Sequence, residues 1–162
     1  MNFEELGLKQ SLLNSIAEMG FKEPSPIQKD AIPVVLAGRD VVAQAHTGTG
    51  KTAAFGLPCL HNLKGKKGVE MLVITPTREL ANQVSDELYA FGKEDAVRTV
   101  TVFGGQSYSQ QIDRIRHGAQ VVVATPGRLL DLLQSGKLHN FAPSMIVLDE
   151  ADIAIYYNLF TS

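Results

Sequence analysis

The sequence predicts an α/β fold: a parallel sheet with helices packed on its faces. Three observations carry that expectation. β-Rich apolar runs and helical repeats alternate along the chain. The runs are apolar on both faces, as strands of a covered parallel sheet are. A Gly-rich turn also joins one run to a helix with the spacing of a phosphate cradle.

At 162 residues and 17.6 kDa there is room for one such domain with a full core and not for two. A net charge of −2 gives no compositional sign of nucleic-acid binding, so any such contact has to come from a local surface. The single cysteine, Cys59, excludes an internal disulfide and offers no metal cluster; it reads as a small buried apolar residue, and suits a cytoplasmic protein. No run is long and apolar enough to span a membrane, and no signal peptide, internal repeat or linker stands out. A monomer is expected.

Taken in order, Leu8, Leu12, Leu13, Ile16 and Met19 recur at helical spacing, with Gly20 as the stop. Ser25 is a good N-cap, Pro26 fits the first helical position and Gln28 stands at N3, so Ser25 and Gln28 predict a capping box. That helix runs on through Ala31, Ile32, Val35 and Leu36 to Gly38, with Pro33 inside it.

The strand Asp40–Gln44 leads into Ala45, His46, Thr47, Gly48, Thr49, Gly50, Lys51 and Thr52, and a helix follows. Backbone N–H groups and a helix N-terminus converge there on one anion. Gly48 and Gly50 let the chain wrap closely, Lys51 is placed for the β- and γ-phosphates, and the Thr52 hydroxyl for Mg²⁺. The general pattern G-x-x-x-x-G-K-[ST] has Gly where this chain has Ala45.

Strands are predicted at Met71–Thr75, Arg98–Phe103, Gln120–Ala124 and Ser144–Leu148. Helices are predicted over Glu79–Phe91 and Ser107–Arg116, and after Thr125-Pro126, the last burying Leu129, Leu130, Leu132 and Leu133. Asp149 and Glu150 follow the final strand, where ligands gather in such sheets. Asp149 suits the metal side of a nucleotide site; Glu150 is placed to orient or deprotonate an attacking water.

Asp149-Glu150-Ala151-Asp152 spells D-E-A-D, and the chain resembles the DEAD-box ATP-dependent RNA helicases from Phe3 to about Asp152. The phosphate loop matches the family's A-x-T-G-x-G-K-T, Ala45 included. Gly20-Phe21, Pro24 and Ile27-Gln28 look like its adenine-recognising Q motif. Pro76-Thr77-Arg78-Glu79-Leu80-Ala81, Gly104-Gly105 and Thr125-Pro126-Gly127-Arg128 resemble its RNA-contacting motifs, in the family's order.

The resemblance implies a RecA-like P-loop domain binding ATP and Mg²⁺. Gln28 would read adenine, with Phe21 near the base or serving as a buried anchor. Lys51, Asp149 and Glu150 would carry the chemistry. Pro76, Thr77, Arg78, Gly104, Gly105, Thr125, Pro126, Gly127 and Arg128 would hold the sugar–phosphate track of RNA without reading bases. Simpler roles stand beside these: Thr77 and Thr125 as N-caps, Gly104-Gly105 as a turn, Arg78 paired within the domain, and Lys64-Gly65-Lys66-Lys67 as a solvated loop.

The family's enzyme has a second RecA-like domain, which supplies arginines to the transferring phosphoryl group and closes on RNA. Residues 1–152 read as most of the first domain, and 153–162 as an atypical tail standing where the family's Ser-Ala-Thr motif would be. The tail is expected to lie away from the sheet or to be disordered, leaving the sheet's middle open, as the end of a truncated or frameshifted reading frame. ATP hydrolysis coupled to RNA unwinding then belongs to the two-domain enzyme, and this chain alone is expected to be inactive. The alternatives are a non-catalytic nucleotide- or RNA-binding fragment and an unstable product.

Overall fold

The computed structural model describes residues 1–44, 50–150 and 152–159. Its helices are α1 (Gln10–Glu18), α2 (Pro26–Leu36), α3 (Lys51–His61), α4 (Arg78–Gly92), α5 (Tyr108–Arg116) and α6 (Pro126–Gln134). Its strands are β1 (Val41–Gln44), β2 (Met71–Ile74), β3 (Thr99–Val102), β4 (Val121–Ala124), β5 (Met145–Asp149) and β6 (Asp152–Tyr157). All six strands form one sheet in the order β1-β6-β5-β2-β4-β3.

β5, β2, β4 and β3 pair in parallel, as the alternating pattern predicts. The tail corrects the sequence reading. β6 lies between β1 and β5 and runs antiparallel to both, with Ile155 opposite Val41 on one side and Val147 on the other. β1 therefore points the same way as β2 to β5, and the middle of the sheet is closed.

The expectation failed on a topological point. A parallel strand needs a crossover of about a dozen residues or more, but an antiparallel one needs only a hairpin. Asp149 already pairs with Ile153, and the Glu150 N–H donates to the Asp152 carbonyl across the turn.

Alternation along β6 also fits its place. Ile153 and Ile155 are buried in the main core, and full burial of such a side chain is worth roughly 1.5–3 kcal/mol. The strand's end is locked as well. The Tyr157 N–H donates to Asp40 Oδ1 (2.8 Å) and its hydroxyl to the Val35 carbonyl (2.7 Å). Asn62 Nδ2 donates in turn to the Tyr157 hydroxyl.

The main core lies between one sheet face and α1 to α4, and includes Leu12, Ile32, Phe55, Leu57, Leu88 and Phe91. α3 and α4 approach closely at Gly56, where a Cβ would stand 2.8 Å from Leu88 Cδ2. Cys59 is fully buried there, and burial pushes its thiol up to about 12, so it is an inert core residue.

The second core joins α5 and α6 to the opposite face through Val100, Val102, Val122, Ile112 and Leu132. Leu129 and Leu132 are buried as expected, but Leu130 and Leu133 are exposed, because these two form a separate i, i+3 row on α6 that points to solvent. On the same sheet face Val42, Ala154 and Leu148 are in register across β1, β6 and β5, with Val42 71% and Leu148 38% exposed. Helices thus cover only the β3 side of that face well.

The capping box forms as predicted: Ser25 Oγ accepts from the Gln28 N–H and Gln28 Oε1 from the Ser25 N–H. Pro33 is accommodated within α2. The Lys64–Lys67 loop is solvent-exposed but anchored, since the N–H groups of Lys64, Gly65 and Lys66 all donate to the buried Glu70 carboxylate.

Candidate functional site

β1 ends at Gln44 and α3 starts at Lys51; Ala45, His46, Thr47, Gly48 and Thr49 lie outside the described residues. Gly50 is the N-cap of α3, with φ +78°, a conformation that glycine adopts without a Cβ penalty. Gln28 reaches it from α2: its Nε2 donates to the Gly50 carbonyl at 3.1 Å while Oε1 stays in the capping box. The amide is almost wholly buried. One side chain thereby ties the start of α2 to the start of α3, and a Cβ on Gly50 would collide with its Nε2.

Lys51 turns back across the sheet end. Its Nζ lies 2.8 Å from Asp149 Oδ1 and donates to the Glu150 carbonyl at 2.8 Å. Asp149 is 4% exposed, and among the described residues its Oδ1 has no hydrogen-bond partner beyond that ion pair. A buried carboxylate in this condition is open to a further ligand. Glu150 is exposed beside it.

Gly50, Lys51, Thr52, Pro76, Leu80, Gln83, Val84, Glu87, Asp149 and Glu150 line one cleft of about 650 Å³. The size suits a nucleotide's polyphosphate end. Glu87, which the sequence reading passed over, projects into this cleft from α4. Thr52, in the first turn of α3, lines the same cleft. Desolvation lifts Glu87 above the usual carboxylate range, the nearby Thr52 hydroxyl opposes that, and the Asp149 charge adds to it. No signal in one sequence marks Glu87, because its meaning depends on which helix face meets α3.

Among the described residues no three His, Cys, Asp or Glu side chains stand close enough to hold a metal by themselves. A cation here would take its other ligands from phosphate and water, the habit of Mg²⁺. The under-partnered Asp149 Oδ1 and the Thr52 hydroxyl fit that requirement.

Phe21 packs between Phe3 (6.0 Å between ring centroids) and Phe91 (5.9 Å, edge-on) and belongs to the rim of the main core. This is the anchor alternative; the ring's cluster also braces the segment that presents Gln28.

The remaining predicted residues gather at one edge. Pro76, Thr77 and Arg78 follow β2, Thr125 to Arg128 follow β4, and Gly104-Gly105 follow β3; these strands are neighbours, so the three loops lie side by side. Pro76, Thr77, Arg78, Gly104, Gly105, Pro126 and Gly127 are exposed.

Thr77 caps α4 through its hydroxyl, whereas Thr125, at the N-cap of α6, makes no side-chain cap bond. Arg78 stacks over Phe103 at 5.7 Å, not on a carboxylate. Arg128 donates to the Gln106 carbonyl (3.2 Å) and Gln111 Oε1 (3.1 Å) and lies over Tyr108 at 5.4 Å. Both guanidiniums therefore brace the Gly104-Gly105 loop, a role that sequence alone did not reveal.

The family comparisons agree with this geometry. A model of the DEAD/DEAH box helicase family matches residues 25–158. The chain is 58% identical over 151 residues to the DEAD-box ATP-dependent RNA helicase RhpA of Helicobacter pylori, covering 93% of this chain and 31% of that protein. It thus spans about a third of the curated relative's length.

Among solved structures, a DEAD box protein from the hyperthermophile Methanococcus jannaschii superposes with a TM-score of 0.84 at 38% identity, over 93% of this chain and 42% of that one. A hypothetical ATP-dependent RNA helicase from Sulfolobus tokodaii gives 0.79 at 42% identity, over 89% and 42%. With that family model spanning most of its length and Lys51 held against Asp149 of the D-E-A-D sequence, the chain belongs to the DEAD/DEAH box helicase family.

Proposed function

We propose that the chain is the ATP- and RNA-binding first domain of a DEAD-box ATP-dependent RNA helicase. The observation that supports this most directly is the Lys51–Asp149 ion pair at the floor of the cleft, which holds both ends of a Mg²⁺–triphosphate site together before ligand arrives. Bound Mg²⁺ would neutralise phosphate charge and bridge the phosphate oxygens. Lys51 would exchange Asp149 for phosphate oxygens. Thr52 and Asp149 would face the cation side, and exposed Glu150 would orient the attacking water. Gln28, already at the phosphate turn, would select adenine.

RNA would lie along the loops after β2, β4 and β3, where hydroxyls, open glycine backbone and the two α-helix N-termini of α4 and α6 suit phosphate oxygens. Hydrolysis coupled to unwinding would require the second RecA-like domain. Loss of an arginine finger alone typically costs about 10³–10⁵ in rate, so the 162 residues by themselves would bind and not turn over. The closed sheet favours this binding module over an unstable product. The deciding experiment is thermal denaturation with Mg²⁺–ATP against Mg²⁺–GTP. An ATP-selective rise in midpoint is expected, since a ligand that binds only the folded state stabilises it; an equal or absent response would refute the reading.

A further inference from the structure

β2, β3, β4 and β5 run parallel, so the segments that lead into them share one end of the sheet, opposite the loops after β2, β4 and β3. Lys64 to Glu70 lead into β2, Arg98 into β3 and Gly118 to Gln120 into β4, while Leu138 to Phe141 approach β5. The Gln120 carbonyl accepts from the Glu70 and Met71 N–H groups, and the Gln120 N–H donates to the Arg98 carbonyl. Three of these segments are thereby fastened together.

Two adjoining clefts of about 520 and 320 Å³ open at this end, and Lys67, Gly68 and Arg116 line both. Lys66 stands in the larger and His139 in the smaller, and no Asp or Glu lines either. Arg98 adds a further cation: its guanidinium donates to the His117 carbonyl at 2.7 Å and lies against Gly118 of the larger cleft. The nearby Glu70 carboxylate is buried and already accepts from the N–H groups of Lys64, Gly65 and Lys66. Those bonds fix the loop while the side chains of Lys64, Lys66 and Lys67 stay exposed. Among the described residues the ion pairs fall on Lys9, Lys51 and Lys93, and none involves Lys64, Lys66, Lys67 or Arg116.

A chain of net charge −2 that gathers unpaired cations in one place carries a local positive potential its composition conceals. Shape narrows the ligand. Two clefts joined through shared residues make a track longer than one small anion needs, and a concave track fits a strand better than a lipid surface. At Gly65 and Gly68 nothing stands within 4 Å of where a Cβ would be, so the backbone there is open to close approach. Lysine, arginine and bare backbone N–H groups are the partners that phosphate oxygens take.

We propose that Lys66, Lys67 and Arg116 form a second RNA-binding surface, which holds the sugar–phosphate backbone of a single strand at the amino ends of β2, β3 and β4. It is separate from the loops after β2, β4 and β3, and it requires no nucleotide.

The test is fluorescence anisotropy of a labelled oligouridine with the full chain, without nucleotide, between about 50 and 200 mM salt. The variants are the triple Lys66→Ala, Lys67→Ala, Arg116→Ala and a control triple, Lys22→Ala, Lys29→Ala, Arg39→Ala. Both triples remove the same charge, and the control residues are exposed elsewhere. Each phosphate contact on a single strand contributes about 0.7 to the slope of log affinity against log salt. The test triple is accordingly expected to flatten that slope by about 2 and to weaken binding at low salt by about tenfold or more. The control triple should keep the wild-type slope. Equal flattening in both triples means that net charge alone acts, and overturns the proposal. An unchanged slope in the test triple, with RNA still bound, also overturns it; the loops after β2, β4 and β3 then remain as the RNA track, and the basic surface falls to an acidic protein partner. If the test triple lowers the thermal midpoint, the pair Lys66→Ala, Lys67→Ala, confined to the loop, decides by the same comparison. Absence of RNA binding by the wild type overturns both RNA surfaces.

Discussion

Lys51 and Asp149 meet at 2.8 Å although they stand on opposite sides of the inserted strand β6, one after β1 and one at the end of β5. The pair bridges the sheet end across the new strand, and the Glu150 carbonyl holds the same ammonium. Removing Lys51 would strand a buried carboxylate. Lys51→Ala is therefore expected to lower stability by about 1–3 kcal/mol as well as to abolish ATP-dependent stabilisation. Adding Asp149→Asn should restore part of that stability without restoring binding, as a double-mutant cycle in urea would reveal.

β6 is a central strand, so proline within it removes a ladder hydrogen bond that nothing can replace. Ala154→Pro is expected to abolish cooperative unfolding in circular dichroism. Ala154→Val, on the partly open face, should be tolerated within about 1 kcal/mol. A normal melting transition for the proline variant would mean that β6 is dispensable.

Gly50 has two reasons to be glycine: a φ of +78° and the Gln28 amide where a Cβ would be. Gly50→Ala should cost about 1–2 kcal/mol for the left-handed backbone and displace Gln28 from the turn. The expected signature is a larger loss of ATP-induced stabilisation than of basal stability, measured by differential scanning fluorimetry. Gln28→Ala, which leaves the backbone relaxed, should reproduce the ligand effect with a smaller basal loss.

Asp95 fastens α1 to the turn after α4 through Ser11 Oγ (2.7 Å) and Lys9 Nζ (3.0 Å), and these contacts hold its carboxyl below the usual range. A depressed folded value gives stability that is present above the unfolded pKa and is lost as pH falls through the folded one. The pair is partly exposed, so its worth is at most about 1 kcal/mol. Asp95→Asn should be less stable than wild type at pH 7, with the difference closing below about pH 4. Guanidinium unfolding at the two pH values checks this.

The residues show where sequence was sufficient. Ser25, Pro26 and Gln28 announced a capping box because capping is local, requiring partners only three positions apart. Apolar β-rich runs at β2, β4 and β5 announced covered strands for a similar reason: burial on both faces leaves polar residues no favourable place. The helix from Lys51 and the acidic strand end at Asp149 were legible from their motifs. So was their order, which identified the family.

Pairing and facing were decided only in three dimensions. The β6 residues carried strand character, but strand character does not fix direction; the hairpin at Glu150 did, by letting the chain return antiparallel into the gap. Glu87 became visible only when α4 turned that face toward Thr52, and the bracing roles of Arg78 and Arg128 only when neighbouring strands brought their loops together. Local free energies select helices and turns from residues a few positions apart, whereas contacts between distant segments depend on which arrangement buries the most apolar surface with its backbone groups satisfied. Sequence therefore determined the helices, most of the strands and the family, and tertiary packing decided which residues line one cleft.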